Sequence, residues 1–373
     1  MPGGILTLIE RKNKLTIRGL TKRYGSATAL DRVDLDLVDG EFLTMLGPSG
    51  SGKTTLLWAV AGLNDPDGGE IWIDGRDATH VPASGRDIGM VFQNYALFPH
   101  MTVRENISFP LEMRKVPAAD RPPAIRRALE MIKLEHVGDR YCSQLSGGQQ
   151  QRIALARAFV ANPSIILMDE PLGALDKKLR DHLQLEIKRL HDELATTVLY
   201  VTHDQEEAMV MSDRICLMNG GRIEQIGTPD ELYFRPATLF AADFLGESNL
   251  ISGRIVGEEA DRLVLELPGI GTLRAPSTTP YEQGAGIVHF TRPESLSILP
   301  GTEIKDNLVR GEVADVVVSG ALTKVFVSVG DGATLQVSQL TSVRQRVRKG
   351  ELLTIGWDAD VGRVFADNRR EVA

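Results

Sequence analysis

The sequence predicts an open α/β domain over residues 1–245 and an all-β domain over residues 246–373. Three observations support this prediction. An apolar run at 41–46 leads through the glycine-rich loop 47–54 into a helix-like stretch at 55–61, which is the strand–loop–helix order of an α/β unit. A second apolar run, 165–168, ends in two acids, Asp169 and Glu170. From about residue 246 the pattern changes to short strands and turns.

The bulk composition indicates a globular protein of more than one domain. The chain has 373 residues, of which 25% are charged and 42% hydrophobic. Its net charge of -8 argues against a nucleic-acid binder, because such proteins usually carry a basic balance. Its two cysteines, Cys142 and Cys216, form no metal-type pair and exclude a disulfide framework, which fits a reducing compartment.

The hydropathy of the chain predicts no membrane insertion. The apolar patch 5–9 is followed at once by Glu10, Arg11 and Lys12, so it is too short for a signal peptide. No uncharged apolar run approaches the length of a membrane span. If the protein works at a membrane, we therefore expect it to do so through partners.

The loop after the first apolar run has the form G-x-x-x-x-G-K-[ST], which is a phosphate-binding loop. It consists of Gly47, Pro48, Ser49, Gly50, Ser51, Gly52, Lys53 and Thr54. Its glycines let the backbone wrap closely around phosphates, and the following helix N-terminus points N–H groups at the anion. Lys53 supplies a mobile positive charge, and the Thr54 hydroxyl is a hard ligand suited to Mg²⁺. The alternative is a glycine-serine turn followed by an ordinary helix.

Strands are predicted around this loop, at 15–18 and 29–37 before it and at 68–75 and 88–93 after it. Tyr24 lies in the turn between the first two. An exposed aromatic residue upstream of a phosphate loop is suited to stack on a base, but a tyrosine that covers a sheet edge fits the pattern equally well.

Residues 94–163 are predicted to form a helical insertion, in which 124–134 is the clearest helix. Within the insertion, Leu145-Ser146-Gly147-Gly148-Gln149 directly precedes a helix predicted at 150–160. Ser146 is a natural N-cap, so this is a second helix N-terminus suited to an anion. One nucleotide does not need two such sites from one subunit. Either each of two copies donates this element to the nucleotide of the other, or the segment is simply a capped helix.

The run 164–170 predicts a buried strand that carries Asp169 and Glu170 at its carboxyl end, where ligands bind in open α/β sheets. Asp169 is suited to hold Mg²⁺ through water, and Glu170 to polarise an attacking water. After a long amphipathic helix to about 194, the strand 197–202 delivers His203 to the same edge. A structural histidine is the alternative, but the sheet geometry favours a γ-phosphate contact. A hairpin over 214–227 and a helical stretch to about 245 end the domain.

A weak internal repeat is visible in the second domain. The segment 249–255 resembles 307–313, and each is followed by a strand-like run, at 263–267 and 324–329. Two related small β-modules would explain the repeat, and chance similarity would explain it as well.

Taken together, these residues resemble the ATP-binding subunit of an ABC transporter over the whole chain. The phosphate loop, Gln93 after a strand, the Leu145–Gln149 signature, the acid pair and His203 occur in the order of that family. The resemblance implies a P-loop NTPase fold with a helical insertion, and ATP and Mg²⁺ as cofactors. The C-terminal region resembles the OB-like (TOBE) extension of importer ATPases. The segments 175–180, 202–208 and 244–249 look most like spermidine/putrescine importers.

The resemblance also implies a role for each site residue. Glu170 acts as general base, His203 clamps the γ-phosphate, and Gln93 reaches Mg²⁺ or the attacking water and senses the membrane subunit. Mg²⁺ is bound by Thr54, Gln93 and Asp169, and Asp176 lies at the dimer seam. ATP is contacted by Tyr24, which stacks on adenine, and by Gly47, Pro48, Ser49, Gly50, Ser51, Gly52, Lys53, Thr54 and Thr55. The ATP of a second copy is contacted by Leu145, Ser146, Gly147, Gly148 and Gln149. One departure is Gly173, where many members carry serine, so a hydroxyl contact is lost there.

The implied partners are a second copy in a head-to-tail dimer, two membrane permease subunits and, indirectly, a solute-binding protein, with no nucleic acid. The implied location is the cytoplasmic face of the inner membrane. Residues 93–103, with Tyr95, Leu97, Phe98 and Met101, are expected to form much of a groove for a permease helix, unless they fill the core of the insertion. The implied function is ATP-driven import of a small solute. A polyamine is the first candidate solute, and a sugar, iron or sulfate is the alternative. The alternatives are an exporter, a non-transport ATPase that acts on nucleic acid or ribosomes, and a nucleic-acid-binding OB module.

Overall fold

The computed structural model describes residues 12–173, 175–277, 282–299, 303–330, 332–342 and 347–367. They form two compact units, one ending at Asp230 and the other beginning at Glu231. The strands of the first unit are β1 (Asn13–Tyr24), β2 (Ala27–Val38), β3 (Phe42–Leu46), β4 (Gly68–Ile73), β5 (Arg76–Asp77), β6 (Ile88–Val91), β7 (Ile165–Asp169), β8 (Thr197–Val201), β9 (Arg214–Asn219) and β10 (Arg222–Gly227). Its helices are α1 (Lys53–Ala61), α2 (Val103–Met113), α3 (Arg121–Met131), α4 (Gly147–Phe159), α5 (Lys177–Leu194) and α6 (Gln205–Met211).

The remaining elements follow in chain order. Helices α7 (Pro229–Phe234) and α8 (Leu239–Phe244) precede the strands β11 (Asn249–Glu259), β12 (Arg262–Leu267), β13 (Gly271–Pro276), β14 (Gly286–Thr291), β15 (Ser297–Leu299), β16 (Asn307–Ser319), β17 (Leu322–Val329), β18 (Ala333–Leu340), β19 (Leu352–Trp357) and β20 (Arg363–Ala366). Short 3₁₀ helices lie at Ala83–Gly85, Glu135–Val137, Cys142–Gln144, Pro293–Ser295 and Ala359–Val361. Across the described residues, no helix combines the length and apolar composition needed to cross a membrane.

Two sheets build the first unit. A six-stranded sheet has the order β10-β9-β3-β8-β7-β6, in which the strands from β9 to β6 run parallel and β10 is an antiparallel edge. A four-stranded antiparallel sheet has the order β2-β1-β4-β5. Strands β3, β7 and β8 are buried along their whole length, which is why their sequences read as continuous apolar runs. The predicted α/β fold is confirmed.

The helical insertion has a small core of its own. Side chains from α2, α3 and α4 pack together there, among them Ile107, Leu129 and Ile153. The helix predicted at 124–134 begins three residues earlier, at Arg121, since two prolines occupy its first turn, where a missing N–H does no harm. The helix predicted at 150–160 begins at Gly147, so both glycines of the signature lie inside its first turn.

The second unit is built from two five-stranded sheets with the same plan. In one, β11 lies between β12 and β14, with β13 and β20 at the edges. In the other, β16 lies between β17 and β19, with β18 and β15 at the edges. The last strand of each module pairs with the sheet of the other module. Strand β15 follows β14 in the chain but pairs with β19, and β20 follows β19 but pairs with β14.

Two buried asparagines repeat the same contact in each module. Asn249 at the start of β11 accepts from the Gln336 N–H at 2.7 Å and donates to its carbonyl at 2.9 Å. Asn307 at the start of β16 does the same with Arg274, at 2.7 and 2.9 Å. The matching strand order and the matching asparagines support an internal repeat over chance similarity.

Residues 231–245, which the sequence assigns to the ATPase domain, pack with the β-rich region. Buried Arg292 donates to the carbonyls of Tyr233, Ala242 and Glu247 and to the Ser248 hydroxyl, at 2.9–3.3 Å. Its guanidinium also lies 4.2 Å from the centre of the Tyr233 ring. The structural division therefore precedes 231, whereas the sequence predicts domains of 1–245 and 246–373, and those functional limits stay a prediction.

Candidate nucleotide-binding site

The predicted phosphate loop lies between β3 and α1, and its glycines have backbone angles that favour glycine. Gly47, Gly50 and Gly52 have φ of 154°, 79° and 102°. A Cβ on Gly47 would lie 2.2 Å from the Met218 carbonyl oxygen, and one on Gly52 would lie 2.5 Å from that of Ala29. The loop is therefore closely packed from behind, and no other residue type fits these two positions without a backbone shift.

Lys53, the first residue of α1, is held against the loop that it follows. Its ammonium donates to the carbonyls of Gly47 and Pro48 at 2.8 and 2.9 Å and to the Ser51 hydroxyl at 3.4 Å. Burial lowers the pKa of Lys53, and the nearby carboxylates of Glu170 and Asp169 oppose that shift. The ammonium is thus pre-positioned where the loop would receive a phosphate.

Asp169 at the end of β7 meets two side chains of α1. The Thr54 hydroxyl donates to Oδ1 at 3.3 Å, and the Trp58 indole N–H donates to Oδ2 at 3.3 Å. Burial raises the pKa of Asp169, and the two hydrogen bonds act in the opposite direction. Within the described part of the chain, no group of three or more His, Cys, Asp or Glu side chains could hold a metal alone. The Thr54 hydroxyl and the Asp169 carboxylate are oxygen ligands that suit Mg²⁺. In such a site, substrate phosphates and water supply most of the other ligands.

Glu170 is contacted from both neighbouring strand ends. Gln93, after β6, donates to Glu170 Oε2 at 3.5 Å, and His203 Nδ1, after β8, lies 3.2 Å from the same oxygen. Glu170 itself has φ of 43°, and its N–H donates to the Val201 carbonyl at 3.0 Å. Because β6, β7 and β8 are adjacent and parallel, the structure brings these three predicted residues together at one edge.

Tyr24, at the end of β1, is half exposed. The Asn64 side chain donates to its hydroxyl, and the Lys22 ammonium lies 5.7 Å from the ring centre. Tyr24 pairs with Ala27 of β2 and lies beyond Thr21, the last residue of β1 that pairs with β4. The strand pairing therefore leaves both the stacking role and the sheet-edge role as predictions. The exposed ring remains suited to stacking on a base.

The predicted signature caps α4 as expected. Ser146 accepts from the Gln149 N–H at 3.4 Å, and the Gln149 side chain accepts from the Ser146 N–H at 3.0 Å, which completes a capping box. Leu145 is buried, and a Cβ on Gly148 would lie 3.0 Å from Leu179. The hydrogen bonds of Ser146 and Gln149 are therefore made within their own helix start. Asp176 caps α5 in the same way, since it accepts from the Leu179 N–H at 3.0 Å.

Two contacts at the site were not expected from the sequence. The first is the hydrogen bond from Trp58 to Asp169. Trp58 follows Thr54 by four residues on α1, and this spacing indicates that Thr54 and Trp58 share one face of the helix. Arg180 donates to the Leu175 carbonyl and to Asp204, both at 2.9 Å, and so ties the turn before α5 to the turn that carries His203. No local sequence pattern indicates that second contact.

Comparisons with known proteins identify the family. The sequence matches the ABC transporter family over residues 30–173 and the TOBE domain over residues 291–365. It is 42% identical over 355 residues to the spermidine/putrescine import ATP-binding protein PotA of Nitratidesulfovibrio vulgaris, covering 94% of this chain and 96% of the relative. It is 43% identical to the spermidine/putrescine import ATP-binding protein PotA of Rubrobacter xylanophilus, covering 92% of this chain and 91% of that relative.

Solved structures indicate the same family over part of the chain. A bacterial ABC transporter cassette, MJ0796, solved as a dimer, is 36% identical with a TM-score of 0.53, covering 58% of this chain and 98% of that cassette. The same cassette in a post-hydrolysis state bound to ADP and Pi gives a TM-score of 0.52 at 36% identity, with the same coverage. The chain therefore belongs to the ABC transporter family, as an ATP-binding and ATP-hydrolysing subunit with a C-terminal TOBE domain, similar to the spermidine/putrescine import ATP-binding proteins.

Proposed function

We propose that this subunit powers the import of a polyamine, from the cytoplasmic face of the inner membrane. The observation that carries the chemistry is the position of Glu170, next to Gln93 and His203 and one residue beyond Asp169. The observation that favours a polyamine is the name shared by relatives that match nine-tenths or more of the chain. An importer ATPase for a sugar, iron or sulfate is the second candidate.

In this proposal, each side chain has a role that fits its contacts. The loop N–H groups and Lys53 bind the phosphates, and Tyr24 stacks on the adenine. Mg²⁺ would be held by Thr54, Gln93 and Asp169, and it would neutralise charge on the phosphates. Glu170 accepts the proton of the attacking water, and His203 contacts the γ-phosphate.

The signature and Asp176 are assigned to the dimer. Ser146 and Gln149 leave the first N–H groups of α4 at an exposed helix start, where an anion is favoured. We propose that a second copy, arranged head to tail, presents its ATP to this helix start. That arrangement explains why one chain carries two anion-binding helix ends and why Asp176 lies in the turn between Glu170 and α5.

A groove on the first unit is suited to a permease helix. It has a volume of about 820 Å³, and its lining includes Met90, Phe98, Phe109, Met113 and Arg157. It runs between the sheet and the insertion, so a helix seated in it would contact both. Of the segment predicted for this role, Phe98 lines the groove, whereas the Tyr95 side chain is buried in the core below it.

Uptake of labelled spermidine and putrescine tests the proposal. Cells that lack the gene are complemented with the wild-type chain or with Glu170→Gln, and uptake is measured with and without the permease genes. We expect the wild-type chain, but not Glu170→Gln, to restore uptake. We also expect the restored uptake to require the permease genes. ATPase activity of the purified chain without any effect on polyamine uptake would overturn the polyamine assignment and favour another solute. Uptake restored by Glu170→Gln would overturn the role of Glu170.

A further inference from the structure

The two oxygens of the Asp169 carboxylate are held by different donors on one helix. Thr54 donates to Oδ1 and Trp58 to Oδ2, each at 3.3 Å. The two residues are four apart on α1, so they lie one above the other on the same face. Helical Cα–Cβ bonds tilt toward the helix N-terminus, and both side chains reach Asp169, the last residue of β7.

The two donors differ in what else they can do. A threonine hydroxyl donates a hydrogen bond and also offers lone pairs to a metal, whereas the indole N–H is a donor only. Trp58 therefore cannot be a ligand to a cation. It can only fix the carboxylate, and it fixes the oxygen that Thr54 does not contact. Without a second donor, a carboxylate is free to turn about its last side-chain bond and exchange its two oxygens.

Trp58 contributes little to the core. Its side chain is 41% exposed, whereas Leu56, Leu57 and Val60 on the same helix are fully buried. A large aromatic residue at a partly exposed position is not explained by packing. Among the described residues, the side-chain hydrogen bond of Trp58 is to Asp169, which is itself only 8% exposed.

We propose that Trp58 is a positioning residue that locks Asp169 with Oδ2 toward the indole and Oδ1 toward Thr54, so that one oxygen is oriented for Mg²⁺ bound with ATP. The inference rests on the Mg²⁺ site of the proposed function. In this proposal Trp58 acts only through Asp169. Its removal is therefore expected to weaken the Mg²⁺-dependent part of nucleotide binding and to spare the part that the loop supplies.

The test compares two Trp→Phe changes in the full-length protein. Trp58→Phe removes the N–H donor and keeps a ring. Trp72→Phe is the matched control, because the Trp72 indole also donates to a carboxylate, Glu70, at 3.0 Å, but on β4, outside the phosphate loop and its helix. The affinity for a non-hydrolysable ATP analogue is measured by calorimetry in Mg²⁺ and in EDTA. The ratio of the two dissociation constants is the gain in affinity due to Mg²⁺.

We expect Trp58→Phe to reduce that gain by about three- to tenfold, which corresponds to the loss of one hydrogen bond from a partly exposed indole to a buried carboxylate, with the EDTA affinity unchanged. Trp72→Phe should leave the gain as in wild type. Trp58→Leu, which also lacks the donor, should match Trp58→Phe and serves if that variant does not fold. An unchanged gain in both Trp58 variants, or an equal loss in Mg²⁺ and in EDTA, would overturn the positioning role. If the wild-type chain itself shows no gain with Mg²⁺, the Mg²⁺ site of the proposed function fails first.

Discussion

Glu170 is held by its surroundings more than by its own backbone preference. Its φ of 43° is in the left-handed region, which costs a non-glycine residue roughly 1 kcal/mol or more. The N–H bond to the Val201 carbonyl and the contacts of Oε2 with Gln93 and His203 keep it there. The carboxylate is thus fixed at the edge of the sheet, next to Asp169.

We predict that Glu170→Gln keeps ATP binding and lowers turnover by at least about a hundredfold, because an amide cannot accept the proton of the attacking water. The change also removes a negative charge near the γ-phosphate, so the ATP-bound dimer should persist. Steady-state ATPase assays and size-exclusion chromatography with ATP and Mg²⁺ measure both effects. Glu112→Gln, at an exposed position of α2, is the control and should behave as wild type. Wild-type turnover by Glu170→Gln, or a variant that stays monomeric with ATP, contradicts the assignment.

His289 predicts how the second unit responds to pH. Its side chain is buried, and its Nε2 atom has no hydrogen-bond partner in the part of the chain that the structure describes. Burial lowers the pKa of His289 from 6.5 to about 4. The folded state therefore disfavours the protonated ring. The associated stability is fully present above pH 6.5 and is lost as the pH falls from 6.5 toward 4.

We predict that this unit loses about 3 kcal/mol of unfolding free energy over that interval, since one pKa unit corresponds to about 1.4 kcal/mol. Denaturant unfolding of the full chain at several pH values measures it, followed by the fluorescence of Trp357 in a chain that also carries Trp58→Phe and Trp72→Phe. His289→Leu should flatten the acid slope, and His136→Leu, at an exposed position in the insertion, should not change it. An acid slope that persists in His289→Leu would show that another group is responsible.

At the scale of elements, α4 fixes the segment that follows β6. Arg157 on α4 donates to the carbonyls of Tyr95 and Ala96, both at 2.8 Å, and its guanidinium lies 5.6 Å from the centre of the Phe98 ring. Tyr95 and Ala96 have φ of 62° and 45°, so these hydrogen bonds hold a turn that the residues would not adopt alone. A helix seated in the neighbouring groove would therefore act on Gln93 and on the signature helix together.

We predict that Met113→Ser weakens assembly with the permease and leaves ATP binding unchanged. Met113 lines the groove and is 64% exposed, whereas Phe98 also packs against Phe109, so a change at Phe98 would disturb the fold as well. The measurement is the amount of permease that co-purifies with the tagged chain. Leu185→Ser, 63% exposed on α5, is the matched control. Equal co-purification of both variants with the permease would argue against the groove as the docking site.

At the scale of the whole molecule, the chemistry and the TOBE domain lie in different units. Every residue assigned to ATP, from Tyr24 to His203, belongs to the first unit, and the repeated β-modules belong to the second. The two modules of the second unit are joined to each other, because the last strand of each pairs with the sheet of the other. Regulation, or bracing of the dimer, is the role we propose for it.

We predict that a chain ending at residue 245 binds ATP within about twofold of the full chain, since it keeps all the proposed contacts. It should dimerise less readily, and it should be less soluble because it lacks Arg292, which holds the carbonyls of Tyr233 and Ala242. Nucleotide titration and light scattering of the truncated and full-length chains measure these effects. A folded but non-binding truncated chain would contradict the separation, and unchanged dimer content would remove only the bracing role.

The sequence by itself determined the features that are local in the chain. The phosphate loop, the acid pair and the Ser146 cap are short contiguous stretches, so each can be recognised from neighbouring residues alone. Their order was also enough to indicate the family, which the comparisons then confirmed. The buried parallel strands were readable because strands covered on both faces are apolar throughout.

Only the tertiary structure decided which of these features meet. Gln93 and Glu170 are 77 positions apart, and they touch because β6 and β7 pair in parallel across the helical insertion. The contact of Trp58 with Asp169, the exchange of β15 and β20, and the attachment of 231–245 through Arg292 are likewise contacts between distant segments. Local patterns do not encode such pairings, because they are set by strand order and by where buried polar groups find partners.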